Sequence, residues 1–281
     1  MRVPQLYRTF RAIRTHPRVS LAWGLAKHAH WHLRRLGGAF PFEQRISESR
    51  IIARDGRCGV SALINNQGMY DWNNMHLLKV LLRGGGTFFD VGANIGSYTL
   101  VAAEQPEADV HAFEPYPTTY EYLCENVRLN QRRNVTAHCL AASDEDGVLN
   151  LTNDSGSSTN RVQGRSSETI EVPCIRLATF CRQHRLKPDY LKIDVEGFEY
   201  EVLAGLSADL AVVRVAIIEI SLRPGAVRAL LNQHGLQGPY AYDADSKAFR
   251  HHDTKAREDP VFVSTLARSG LVAQGFSISS A

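Results

Sequence analysis

The chain has 281 residues, 44% hydrophobic and 22% charged, with a formal net charge of +3. That composition excludes a disordered chain, a collagen and a small disulfide-stapled domain. No apolar run approaches the ~20 residues of a membrane-spanning helix, and the greasiest stretch, Leu210 to Leu222, is broken by Arg214 and Glu219.

The first 42 residues differ from the rest. No acidic residue precedes Glu43, whereas Arg2, Arg8, Arg11, Arg14, Arg18, Lys27, Arg34 and Arg35 do, which leaves a net −5 on the remainder. Aromatic residues, among them Trp23, Trp31 and Phe40, are interleaved with the bases. A basic helical extension over 1–42 is expected. It suits a solvated cover for the domain, an anionic membrane face, nucleic acid or an acidic partner. Interrupting arginines argue against a secretory signal, while an Arg-rich, acid-poor start also resembles an organelle transit peptide. His28, His30 and His32 alternate, and on a helix a spacing of two does not share a face, so no metal site is expected there. His251-His252-Asp253 reads as part of a polar loop. Five cysteines without a Cys-x-x-Cys pair fit reduced thiols in a cytoplasmic protein.

Residues 43–70 read as a short β-rich lead-in that ends at the turn Asn65-Asn66-Gln67-Gly68. A helix over Asp71–Leu82 stops at Gly84-Gly85-Gly86. Short apolar strands then alternate with helices. Strands are expected at Thr87–Val91, Val110–Phe113, Val135–Cys139, Tyr190–Ile193 and Val213–Ile220, with helices at Ser97–Ala103, Tyr120–Asn130 and Glu199–Ala204. Tyr240–Tyr242 and Val261–Val263 close the chain as late strands. Between Ala141 and Pro188 the rhythm breaks, which predicts an irregular or hairpin insertion with a flexible loop at Asp154–Ser158. The alternation predicts one α/β domain over 43–281, a mostly parallel sheet with helices on both faces.

Asp90-Val91-Gly92-Ala93-Asn94-Ile95-Gly96 follows a strand and opens a helix. Gly92 and Gly96 permit a tight turn and close approach of a ligand, at the strand end where α/β sheets bind ligands. Glu114 ends the next strand, 24 residues after Asp90, where a carboxylate can accept both ribose hydroxyls. Asn94 stands where a dinucleotide fingerprint has its middle glycine, which disfavours a pyrophosphate and favours a nucleoside such as S-adenosyl-L-methionine. Asp90 would then take its ammonium group. Ala142 and Ser143 follow the third strand and are expected along the adenine. Phe113, His111 and Tyr116 are expected to serve packing.

Phe89-Asp90-Val91-Gly92-Ala93-Asn94-Ile95-Gly96, Phe113-Glu114-Pro115 and Lys192-Ile193-Asp194-Val195-Glu196-Gly197 together resemble the FkbM family of S-adenosylmethionine-dependent methyltransferases over roughly Gly68 to Ile220. The resemblance implies a class I methyltransferase (Rossmann-like) fold with a seven-stranded sheet. It also implies O-methylation of a hydroxyl on a sugar, glycolipid or polyketide-like acceptor, with Asp90, Gly92, Ala93, Asn94, Gly96, Glu114, Pro115 and Asp194 among the cofactor-binding residues. One departure is Arg176-Leu177-Ala178, where relatives carry Thr-Leu-Asp.

Asp194 is the first candidate base, Glu219 the second and Glu196 the third. Glu219 lies in the apolar run Ala216–Ile220, where a carboxylate needs a partner or a task; pairing with Lys192 is the structural alternative. Glu196 can also serve the following helix dipole. No third ligand joins Asp194 and Glu219, so no metal is expected. Two other readings stay open: a nucleic-acid methyltransferase using the basic arm, and a non-catalytic membrane-associated adapter on the same fold. An Asn/Asp-Pro-Pro-aromatic string is missing after the fourth strand, which argues against the first.

Overall fold

The computed structural model describes residues 5–152, 169–252 and 259–279. Two helices, α1 (Gln5–Thr15) and α2 (Leu21–Leu36), open the chain. The Ser20 hydroxyl caps α2 by accepting the Trp23 N–H at 3.3 Å. The helices meet where Ile13 packs on Gly24; a Cβ there would lie 2.2 Å from Ile13. Trp31 is buried edge-on against Phe40 and Phe42, at 5.1 and 6.0 Å.

The lead-in is a hairpin, β1 (Phe42–Ile46) with β2 (Ser49–Ala53), followed by α3 (Gly59–Gln67) and α4 (Trp72–Leu81). The turn expected at Asn65–Gly68 is the last turn of α3, which Gly68 ends at φ +67°. Next come β3 (Gly86–Val91), α5 (Ser97–Ala102), β4 (Ala108–Phe113), α6 (Pro117–Leu129) and β5 (Val135–His138). The insertion is a small sheet of its own: β6 (Ala141–Ser143), β7 (Gly147–Thr152) and β8 (Thr169–Arg176), in the order β6-β8-β7. The Asp154–Ser158 segment lies outside the described residues. The chain continues through α7 (Leu177–His184), β9 (Tyr190–Ile193), α8 (Glu199–Leu206), β10 (Val215–Ile218), α9 (Pro224–Gln233), β11 (Leu236–Asp243), β12 (Ala248–His251), β13 (Val261–Ser264), α10 (Arg268–Ala273) and β14 (Ser277–Ile278). His251 therefore closes a strand, and Asp253 lies outside the described residues.

The main sheet runs β14-β12-β11-β13-β10-β9-β3-β4-β5. Strands β5 to β11 of that order form a seven-stranded sheet, the number the resemblance implies, with β13 antiparallel to both neighbours. β12 and β14 extend it to nine strands. β12, Ala-Phe-Arg-His, lacks the unbroken apolar run of the buried strands, and β14 has two residues. The fifth strand is shorter than expected: β10 stops at Ile218, and Glu219 is the first residue beyond it rather than inside it. Its N–H still bonds Ile193 O at 2.9 Å.

β3, β9 and β10 are buried almost throughout because helices cover both faces. Period-two alternation divides their side chains. Phe88, Tyr190, Val215 and Ile217 join the core beneath α4 and α5. Phe89, Val91, Leu191, Ile193, Ala216 and Ile218 join the core under α7, α8 and α9.

Position 178 falls in the first turn of α7. Asp146 serves that helix end from outside. Its carboxylate accepts the Arg176 N–H at 2.7 Å and the Thr179 hydroxyl at 3.1 Å. A carboxylate thus still caps α7 although Ala178 carries none.

Candidate active site

Strand order reverses between β3 and β9, and a crevice opens beyond the carboxyl ends of strands at such a switch point. A cleft of about 200 Å³ lies there. Alternation explains its polarity. Asp90 falls two residues after Phe88, Lys192 two after Tyr190, Asp194 two further, and Glu219 two after Ile217. Backbone bonds continue each ladder by one residue: Glu114 N–H to His138 O at 3.0 Å, Asp194 N–H to Val91 O at 3.0 Å. The four carboxylates of four adjacent strands therefore share one face, all lining the cleft.

The turn after β3 is set by packing as well as by access. Gly92 has φ +81°, and a Cβ on it would lie 1.9 Å from the Asp194 carbonyl oxygen, so the β3 and β9 loops meet only over a glycine. Asn94 holds φ +51°, a left-handed conformation that Asn tolerates, and its Oδ1 accepts the Ile95 N–H at 2.8 Å. Gly96, at φ +93°, faces Leu123 of α6 rather than the cleft. Glu114, 7% exposed, accepts the Asn94 N–H at 2.9 Å on one oxygen and the Tyr116 N–H at 3.0 Å on the other. Burial pushes its pKa up to about 7 despite those two bonds. Asp90 accepts the Thr99 hydroxyl at 2.6 Å, and burial raises it to about 6.

Lys192, read from the sequence only as a possible partner of Glu219, lines the cleft itself. Its side chain is 2% exposed, with Nζ 3.3 Å from Asp194 Oδ2, 3.1 Å from Asp259 Oδ2 and 5.3 Å above the Tyr98 ring. Burial works against its charge, yet the two carboxylates hold it well above the usual lysine value. Its ion pairs are thus with Asp194 and Asp259, not with Glu219. Burial also opposes ionisation of Asp194, but the Lys192 ammonium holds that carboxyl below its ordinary value. Glu219 moves the other way, first through its hydrogen bond with Asp194 and then through burial. The shared hydrogen bond and the ammonium beside Asp194 thus push the two carboxyls in opposite directions, Asp194 towards the ionised form and Glu219 towards the neutral one.

Glu196, at φ +52° beside Gly197 at φ +101°, also lines the cleft. One ligand atom from each of Asp194, Glu196 and Glu219 lies within 4.8 Å of the others. The third carboxylate that seemed missing for a cation is therefore present.

Ala93, Pro115 and Ala142 line the cleft as expected. Ser143 does not: it is buried in β6, its hydroxyl 3.2 Å from Asp144 Oδ1 and accepting the Glu145 N–H at 3.4 Å. Phe113 and Tyr116, expected to serve packing, line the cleft as well; His111 is stacked on His138, 5.4 Å away. Tyr70, hydrogen-bonded to Ser97 at 3.0 Å, and Tyr98, bonded to Asp71, complete the wall on the α4–α5 side. In α2, His28 and His32 stand four apart with Nε2 atoms 3.2 Å apart, while His30 accepts from Arg34.

The cradle fits S-adenosylmethionine. Two buried carboxylates, Asp90 and Glu114, open into the cleft from adjacent strands, as a nucleoside with a cationic amino-acid tail requires. Gly92, Ala93 and Asn94 supply close backbone between them.

Comparison with known proteins agrees. The model of the methyltransferase FkbM domain matches residues 90–243. The 31-O-demethyl-FK506 methyltransferase FkbM of Streptomyces tacrolimicus is 32% identical over 194 residues, covering 56% of this chain and 74% of that one. The hexuronic acid methyltransferase AglP of Haloferax volcanii is 32% identical over 152 residues, covering 52% of this chain and 61% of that one. The methyltransferase sdnD of Sordaria araneosa is 33% identical over 186 residues, covering 52% and 71%. The chain belongs to the FkbM methyltransferase family, whose cofactor is S-adenosylmethionine.

Proposed function

We propose that this chain methylates a hydroxyl group on a sugar, glycolipid or polyketide-like acceptor, with Asp194 receiving the hydroxyl proton. Residues 43–281 form the catalytic domain in this reading, and residues 1–42 are an appended segment. The observation that carries it is the Asp194–Glu219 pair beside Lys192: two hydrogen-bonded carboxylates on the cleft, with the buried Lys192 ammonium 3.3 Å from Asp194. FkbM and AglP, named for a macrolide and a hexuronic acid, support an oxygen acceptor.

S-adenosylmethionine supplies a methyl group on a sulfonium, which leaves with the electron pair going to sulfur. With that cofactor bound, Glu114 would accept the ribose hydroxyls, Asp90 would face the ammonium group, and Pro115 and Ala142 would flank the adenine. Asp194 stands at the end of β9, next to the Gly92 turn, and orients the acceptor hydroxyl for in-line attack. That hydroxyl becomes strongly acidic only as its new bond to carbon forms, so a carboxylate of low pKa suffices as the base. Lys192 keeps Asp194 ionised before attack. Glu219, still protonated, donates to Asp194 and fixes its orientation. Glu196 borders the acceptor side.

The test is transfer of labelled methyl groups to sugars, glycolipids and polyketide alcohols by the wild type and Asp194→Asn. Turnover should fall by about 10²–10⁴-fold in the variant with cofactor affinity kept. Full turnover in the variant excludes Asp194 as the base.

A further inference from the structure

The second helix has two apolar faces, and only one of them is used. Gly24 and Trp31 point inward, to Ile13 and to Phe40 and Phe42. On the opposite side Ala22, Leu25, Ala26, Ala29, Leu33 and Leu36 recur at helical spacing, and every one is exposed. Leu33 is 66% and Leu36 85% exposed. His30 borders the stripe, Lys27 over the Trp23 ring and Arg34 over the Phe42 ring follow it on the same side of the helix, and no acidic residue occurs before Glu43.

The geometry points to an anionic membrane surface as the occupant of this face. An exposed apolar stripe on a helix of a basic, acid-free segment is the pattern of an interfacial helix, which lies in the headgroup plane. Charge favours that occupant over a second copy, because two-fold pairing through α2 would bring two acid-free, basic segments together. The chain's own remaining segments do not suit it either: 153–168 contains Val162 as its one large apolar residue, and 253–258 contains none. α2 is one helix from the cleft, since α3 packs against it and contributes Val60 to the lining.

The experiment is co-sedimentation of the full chain with phosphatidylcholine vesicles, with and without phosphatidylglycerol. The comparison is the double variant Leu33→Asp, Leu36→Asp, whose sites are solvent-exposed, with circular dichroism and cofactor binding as fold controls. The wild type should pellet with the anionic vesicles and release at high salt. The double variant should bind about tenfold more weakly or less, with fold controls unchanged. Equal binding by both proteins, equal binding to neutral and anionic vesicles, or a wild-type dimer that the variant abolishes would each overturn the proposal. Cofactor binding reads the catalytic site separately, so failure here leaves the methyltransferase reading intact.

Discussion

Glu114→Gln should make the cofactor-free protein more stable at pH 8 while weakening its cofactor. Burial raises Glu114 from the ordinary 4.5 to about 7. Between those values the native protein keeps a proton that the unfolded chain has released, so this group makes stability fall as pH rises. The full displacement corresponds to about 3 kcal/mol above pH 7. Gln mimics the neutral form but has one acceptor oxygen where the carboxylate has two. One of the Asn94 and Tyr116 N–H groups then loses its partner, at about 1 kcal/mol. The variant should gain about 2 kcal/mol at pH 8 and change little at pH 5, where partial ionisation of the unfolded Glu114 already costs the wild type about 1 kcal/mol and offsets the lost bond. Urea denaturation at the two pH values measures the difference. Calorimetry should show S-adenosylmethionine bound about 10–100-fold more weakly, the loss of a charged hydrogen-bond acceptor for ribose. A stability difference independent of pH, or native affinity in the variant, refutes the reasoning.

Gly92→Ala should cost more than about 3 kcal/mol in urea unfolding, because its Cβ meets a backbone oxygen and its φ is left-handed. A variant with wild-type stability would show that the β3 and β9 loops do not approach as closely as described. Asp146→Ala should lower stability by about 1 kcal/mol through the uncapped α7 and leave kcat/KM unchanged; altered kcat/KM would connect α7 to the cleft. Turnover should survive EDTA, since Asp194 and Glu219 share a proton and Lys192 supplies the local cation. Loss on EDTA with recovery on adding Mg²⁺ would instead assign Asp194, Glu196 and Glu219 to a metal.

The parallel strands were legible because each is an unbroken apolar run ending in a polar residue. That change of polarity also gave Asp90, Glu114 and Asp194. Lys192 was read only as a possible partner of Glu219, yet it occupies the same alternation as Asp90 and Asp194, so strand parity was the available signal for its place on the cleft. Tyr70, Ser97 and Tyr98 reach the cleft from around α4 and α5, and only the packing of those helices on the sheet reveals them. Gly92 was assigned to ligand access; its closest neighbour is the backbone of Asp194, about a hundred positions away in sequence, which no local pattern contains. Ser143 was misplaced because β6 leaves the main sheet for the small one.

A crystal structure of the full chain with S-adenosylhomocysteine tests the central assignment most directly. The ribose hydroxyls should lie within hydrogen-bond distance of Glu114, the amino-acid tail along Gly92–Asn94, and the sulfur facing Asp194. A ligand seated elsewhere, or a ribose turned away from Glu114, would contradict it.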